Sequence, residues 1–83
     1  MEFSENTIIQ AFRRSGGRCE CTRSSHHHLL NRCTNSLIWA MRGIRTGQPD
    51  AWEANHINRV ESGGDNSLSN CEILCWPCHK ATL

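Results

Sequence analysis

The sequence predicts a small α+β domain with an N-terminal helix, a two-stranded hairpin and a final helix. Apolar residues at helical spacing near the N-terminus indicate the first helix. Two runs with strand character flank Gly63 and Gly64, and a Cys75-x-x-Cys78 pair directly precedes the last residues. With 83 residues, of which 37% are hydrophobic, the chain buries little apolar surface. It therefore needs a staple, meaning a bound metal ion, disulfides or a partner that adds stability.

The first helix has both a start signal and a stop signal. Ser4 can cap it, and Ile8, Ile9 and Phe12 form an apolar stripe on one face. The Ser-Gly-Gly run at 15–17 ends it. The N-terminal helix is therefore expected within residues 1–17.

Three further segments have strand character. Residues 37–41 predict a short strand, 52–60 a second strand and 68–74 its partner, with turn residues at 62–66 between the last two. Pro77 suits the first turn of a helix, where its missing N–H is harmless. The order strand, loop, strand, helix follows, with the cysteine pair at the strand–helix junction.

The six cysteines can act as a disulfide framework or as metal ligands. The spacing Cys75-x-x-Cys78 is typical of a zinc knuckle. The polar start of the chain has no signal-peptide pattern, so we expect a cytoplasmic protein, prokaryotic or phage-encoded, with reduced thiols. No segment predicts a membrane span, and the net charge of +1 does not by itself indicate a polyanionic partner.

Several features of the last thirty residues occur together and in order: Asn55-His56-Ile57, Gly63-Gly64-Asp65, Leu68-Ser69-Asn70, Ile73-Leu74-Cys75 and Cys75-x-x-Cys78-His79. This pattern resembles the ββα-metal, or His-Me finger, motif of HNH endonucleases. The resemblance implies one HNH nuclease domain over 1–83 with a treble-clef-like core. Its parts would be an N-terminal helix (1–17), a zinc-knuckle and strand region (18–51) and the ββα-metal motif (52–83).

The resemblance also implies roles for four residues of the motif. His56 is similar to the family's general base, which takes a proton from the attacking water, and a neutral imidazole suits that task. Asn70 matches the asparagine that ties the hairpin loop together, and His79 matches a ligand of the catalytic metal. Asn55 occupies the second ligand position, where aspartate or histidine is usual. The expected ion is Mg²⁺, Mn²⁺, Ni²⁺ or Zn²⁺.

A separate, structural zinc is expected at the cysteines. Related domains carry an upstream knuckle, and Cys19 and Cys33 look like its two halves around an inserted loop. The preferred ligand set is Cys19, Cys33, Cys75 and Cys78, with Cys21 as the alternate.

Other candidate residues have simpler interpretations. Cys71 is expected to be a small buried hydrophobe, and the histidines at 26–28 a polar loop rather than zinc ligands. Trp39, Trp52 and Trp76 are expected in the core rather than stacked on bases.

These features favour a metal-dependent HNH endonuclease that cuts DNA and leaves 5′-phosphate ends. The alternative is a catalytically weakened, zinc-stapled module that binds nucleic acid or protein, because the Asn55 amide is a poorer ligand than a carboxylate. Changing Asn55 to Asp or His is then expected to increase plasmid cleavage. A small domain reads few base edges, so a homodimer partner or a larger protein is expected to supply DNA specificity.

Overall fold

The structure, a computed structural model, describes residues 2–22, 32–33, 35–43 and 50–82. Helix α1 comes first and strands β1 and β2 form one antiparallel hairpin, with helix α2 directly after β2. Short 3-10 turns precede β1 and lie between the strands. The bounds are α1 Glu5–Ser15, β1 Trp52–His56, β2 Cys71–Cys75 and α2 Trp76–Thr82.

Helix α1 begins and ends where the sequence predicts. The Ser4 side chain accepts a hydrogen bond from the Thr7 backbone N–H at 3.2 Å and so caps the first turn. Gly16 ends the helix in the left-handed region at φ 69°, and its N–H donates to the Arg13 carbonyl. The buried residues Ile8, Ala11 and Ser15 follow one face, which packs against β2.

The hairpin is shorter than the sequence suggests. Trp52 pairs with Cys75 and His56 pairs with Cys71, so the predicted strand 52–60 ends four residues early. Strand β2 begins at Cys71 because residues 68–70 form a 3-10 turn, and it runs to Cys75 instead of ending at residue 74. The candidate base His56 therefore lies at the very end of β1, where the chain turns away.

The predicted strand at 37–41 is wrong. Trp39–Met41 is a 3-10 turn, and its backbone groups bond locally, with Met41 N–H donating to the Ile38 carbonyl at 2.8 Å. Only isolated bridges flank it among the described residues, one from Ser36 to Arg18 and one from Arg42 to Trp52. Because these backbone groups are bonded within the turn, they are not available to pair with a neighbouring strand.

The core lies between α1, the hairpin and the cysteines. Trp52, Ile73 and Leu74 are fully buried, and the Trp52 indole N–H donates to the Ile38 carbonyl at 2.9 Å. Trp39 is 43% exposed, so the expectation that it belongs to the core is wrong, although its ring still packs against Trp52. Trp76 is partly buried.

Residues 17–20 connect α1 to the hairpin. The Glu20 N–H donates to the Ile73 carbonyl at 2.7 Å, and the Glu20 carboxylate accepts from the Ile73 N–H at 2.9 Å. Arg14 forms an ion pair with the same carboxylate and donates to the carbonyls of Leu68 and Cys71. These bonds hold Cys19 beside the end of β2. Neither helix of the described part is long and apolar enough to cross a bilayer.

Candidate functional site

Four cysteine sulfurs meet in the interior. The sulfurs all lie within 4.8 Å of one another and every one of these cysteines is buried: Cys19, Cys33, Cys75 and Cys78. Cys75 and Cys78 come from the β2–α2 junction, and Cys19 and Cys33 come from two upstream segments. A hydrogen bond from the Cys19 N–H to the Asn35 carbonyl holds these two segments together. This is the set preferred from the sequence.

The chemistry of this cluster suits zinc. A tetrahedral zinc with Zn–S bonds of about 2.3 Å separates its sulfurs by roughly 3.8 Å, and the Cys33 and Cys75 sulfurs are 3.8 Å apart. Two N–H groups also point at the sulfurs, the Asn35 amide at Cys75 and the Cys75 backbone at Cys19, both at 3.2 Å. Such donors orient thiolate ligands and stabilise their charge. The four cysteines could therefore hold a zinc ion.

Hydrogen bonds shift the pKa values of the clustered thiols in opposite directions. A hydrogen bond with Cys19 lowers the pKa of Cys75, whereas the same bond raises the pKa of Cys19. Burial raises the pKa of Cys78. The four thiols therefore differ in how readily they lose a proton. A divalent cation would stabilise all four as thiolates.

The remaining cysteines have different surroundings. Cys21 is fully buried, and its carbonyl accepts from the Cys33 N–H at 2.8 Å, but it is not a member of the four-sulfur group. Cys71 is also fully buried, as predicted, and burial raises its pKa to about 11. The histidines at 26–28 lie outside the described residues.

A second site forms where β1 ends against α2. Asn55, His56 and His79 line one pocket of about 330 Å³. His79 is 8% exposed and lies one turn into α2, with its ring tilted against Trp76 at 5.8 Å between centroids. Strand β2 ends at Cys75, opposite Trp52 at the start of β1, so α2 begins at the far end of the hairpin from His56. The helix packs back along both strands, and this packing brings His79 into the same pocket as His56.

Two contacts hold the His56 ring. Its Nε2 lies 2.7 Å from the Asn66 Oδ1, which comes from the loop between the strands. Its face stacks on Phe3, with ring centroids 4.0 Å apart and an angle of 20° between planes. With Nε2 donating to that oxygen, the other ring nitrogen, Nδ1, is the basic one.

The Asn70 side chain spans the loop between the strands. Its Oδ1 accepts from the Asn58 N–H at 2.8 Å, and its Nδ2 donates to the carbonyls of Asn58 at 3.0 Å and Asp65 at 2.7 Å. Gly64 closes the same loop against Asn58, where a Cβ would overlap the Asn58 carbonyl oxygen. Asn70 thereby connects the two ends of the segment that carries Asn66.

Several residues around the pocket have no counterpart among the sequence-predicted ones. Arg59 and Glu61 line it, and Arg59 donates to the Thr82 carbonyl of α2 at 2.9 Å. Both follow His56 within five residues, which is the one signal the sequence offers. Phe3 and Asn66 are too distant or too ordinary in sequence for any pattern to indicate them.

Comparison with known protein families matches residues 31–82 to the HNH endonuclease model, which is more than half of the 83-residue chain. No curated protein and no solved structure gives a significant match. The matched range contains the pocket residues Asn55, His56 and His79, the loop residue Asn70, and three of the four clustered cysteines. The chain therefore belongs to the HNH endonuclease family.

Proposed function

We propose that this protein is a metal-dependent endonuclease that hydrolyses DNA phosphodiester bonds, with His56 as general base. The observation that carries the proposal is the meeting of His56, His79 and Asn55 in one pocket. Family membership supports a nuclease, and the pocket supplies the residues for the reaction. We assign 5′-phosphate and 3′-hydroxyl ends to the products.

The proton transfer follows from the surroundings of the base. The Asn66 oxygen holds the Nε2 proton of His56, so Nδ1 accepts the proton of the attacking water. The stack on Phe3 restrains the ring plane. The Asn70 bonds hold the loop that carries Asn66, so we assign Asn70 the role of orienting the base.

The donor set of the pocket fits a divalent ion. We assign His79 and the Asn55 amide oxygen as its protein ligands, a nitrogen and an oxygen donor that suit Mn²⁺, Ni²⁺, Zn²⁺ or Mg²⁺. When bound there, a divalent ion would supply positive charge to offset the charge that builds on phosphorus and on the departing 3′-oxygen. Two protein ligands leave most coordination positions for water and phosphate. The structural zinc is assigned to Cys19, Cys33, Cys75 and Cys78.

Supercoiled plasmid tests the proposal. Protein that retains its structural zinc is incubated with plasmid alone and with added Mg²⁺, Mn²⁺ or Ni²⁺. We expect metal-dependent nicking or linearisation that His56→Ala reduces at least a hundredfold, since general-base catalysis contributes about 10²–10⁴. His79→Ala should also lose activity, whereas Lys80→Ala, an exposed neighbour, should retain it. Plasmid that stays supercoiled with every ion, or equal cleavage by His56→Ala, contradicts the proposal.

One observation favours a second function. Asn55 carries no negative charge, so the alternative is a zinc-stapled module that binds nucleic acid or protein without cutting it. That module would leave plasmid intact at every metal concentration, and its nucleic-acid-binding form would also retain DNA on a filter or in a gel shift. The two outcomes separate the hypotheses in one set of reactions.

Sequence selectivity is assigned to a partner. The net charge is only +1, so the electrostatic attraction to phosphates that normally supplies non-specific DNA affinity is small. A second copy of the chain or a larger protein would add the contacts that a specific site requires. Isolated protein should then cut unrelated plasmids at similar rates.

A further inference from the structure

The amide group of Asn55 has a defined orientation. Its nitrogen Nδ2 lies 2.9 Å from the Glu72 Oε1 and 3.2 Å from the His56 backbone carbonyl oxygen. A carboxylate and a carbonyl can only accept hydrogen bonds, so the group that faces them must be the NH₂. Its two N–H bonds can serve both acceptors. The chemistry of the partners thus settles which end of the amide is nitrogen.

The oxygen of Asn55 is turned away from these acceptors. An amide is planar with its oxygen and nitrogen on opposite branches, so a nitrogen held by Glu72 directs Oδ1 to the other side. Asn55 lines the pocket that also contains His79. Glu72 lies directly across the strand ladder from Asn55 and is only 9% exposed.

We propose that Glu72 is a positioning residue that makes Asn55 an effective metal ligand. Glu72 holds the amide with its oxygen outward, and its negative charge polarises the amide so that Oδ1 is a stronger donor. The Glu72 charge stays behind the amide and offsets only part of the difference between a neutral amide ligand and a carboxylate. This inference rests on the proposed function, since it concerns the same metal site. Outer groups of this kind commonly change metal affinity by 10–100-fold.

The pair has a consequence for substitutions at position 55. An aspartate there would place a second carboxylate at hydrogen-bond distance from Glu72, and two like charges that close repel each other. Asn55→Asp alone should therefore gain little or lose affinity, in contrast to the increased cleavage expected from the sequence alone. Asn55→Asp combined with Glu72→Gln should bind metal more tightly than either single variant, because the glutamine can donate to the new carboxylate.

Calorimetric titration with Mn²⁺ tests this on protein that retains its structural zinc. We expect Glu72→Ala and Asn55→Ala each to weaken binding about tenfold. The double variant should be no weaker than either single one, because both changes remove the same interaction. Glu72→Gln keeps an acceptor oxygen without the charge and should lose less than Glu72→Ala. Glu53→Gln, a carboxylate change on the same strand as Asn55, should stay within twofold of wild type.

Opposite outcomes overturn the inference. It is wrong if Glu72→Ala binds Mn²⁺ as wild type does, or if the losses from Asn55→Ala and Glu72→Ala simply add. If Glu72→Ala does not fold, Glu72→Gln is compared in the wild-type and the Asn55→Asp backgrounds instead. Equal Mn²⁺ affinity with and without Glu72→Gln in both backgrounds overturns the inference. His79→Ala distinguishes failure of the positioning role from failure of the proposed metal site itself. If it leaves Mn²⁺ affinity unchanged, the metal site of the proposed function fails as well, whereas a large loss there with no effect at Glu72 refutes the positioning role alone.

Discussion

The rings of Phe3 and His56 lie face to face, with centroids 4.0 Å apart and an angle of 20° between their planes. These residues are far apart in sequence, so the contact ties the segment before α1 to the end of β1. Phe3 is 7% exposed and belongs to the core cluster. The N-terminal segment is thereby part of the candidate active site, although it precedes the matched family range.

Removing the Phe3 ring should affect both stability and the His56 signal. Phe3→Ala is expected to cost about 3 kcal/mol of unfolding free energy, as for other buried phenylalanines. The carbon-bound protons of the His56 ring should move downfield in the NMR spectrum, because the ring current of the stacked phenyl disappears. Ile9→Ala, a change on α1, serves as the control and should leave these shifts in place. Unmoved His56 signals in Phe3→Ala would contradict the stack.

Asn70 should tolerate neither truncation nor conversion to aspartate. Asn70→Ala removes three hydrogen bonds, and Asn70→Asp places a carboxylate against the carbonyls of Asn58 and Asp65. Each change should lower the unfolding free energy by about 1–3 kcal/mol and increase hydrogen exchange at the Asn58 amide. Ser69→Ala, at an exposed neighbouring position, is the control. An aspartate variant as stable as wild type would mean that the amide donors are not used.

Substitution of Cys33 should abolish zinc binding, whereas substitution of Cys21 should not. Cys33→Ser is expected to lose the ion and with it the fold, because structural zinc contributes a large share of the stability of small domains. Cys21→Ser removes a buried sulfur that lies outside the four-sulfur group, so this variant should keep one zinc per chain. Elemental analysis and circular dichroism before and after chelation measure both effects. Loss of zinc in Cys21→Ser but not in Cys33→Ser would exchange the two assignments.

Cys71 should make stability depend on alkaline pH. Burial raises its pKa from 9.0 to about 11, so the folded protein holds the thiol proton more tightly than the unfolded chain. A raised folded pKa gives a contribution that is complete below pH 9 and is lost as the pH rises toward 11, up to about 2 kcal/mol.

Urea unfolding of wild type and Cys71→Ala measures this contribution, since alanine has no proton to lose. The stability advantage of wild type over Cys71→Ala should shrink between roughly pH 8.5 and pH 11. A constant difference over that interval would show that the thiol titrates as it does in the unfolded chain. Resistance of Cys71 to alkylation in native protein provides an independent check.

The sequence predicts well wherever the signal is local. The Ser4 cap and the Gly16 end of α1 are confirmed, as is the start of the final helix near Pro77. The knuckle spacing also predicts half of the cysteine cluster. Prediction fails at 37–41, where a run of apolar residues resembles a strand, because Trp39–Met41 closes a 3-10 turn and the described residues flank it only with isolated bridges.

The site residues that the sequence does not indicate are missed for a physical reason as well. Residues such as Phe3, Asn66 and Glu72 act through contacts between distant segments, and each is an ordinary residue in its own local sequence. The register of the hairpin decides that Glu72 lies opposite Asn55. A shift of one residue would turn every side chain to the other face.

Residue type and spacing by themselves therefore determined the chemistry available to this protein: a thiol knuckle, two histidines and the asparagines of a nuclease motif. Tertiary structure alone decided the distances between these groups. It gathered the sulfur of the preferred Cys33, rather than that of the alternate Cys21, with the other three, put His79 in one pocket with His56 and placed a carboxylate beside Asn55. The reason is that chemistry belongs to side chains, whereas distances between them depend on strand pairing and packing across the whole fold.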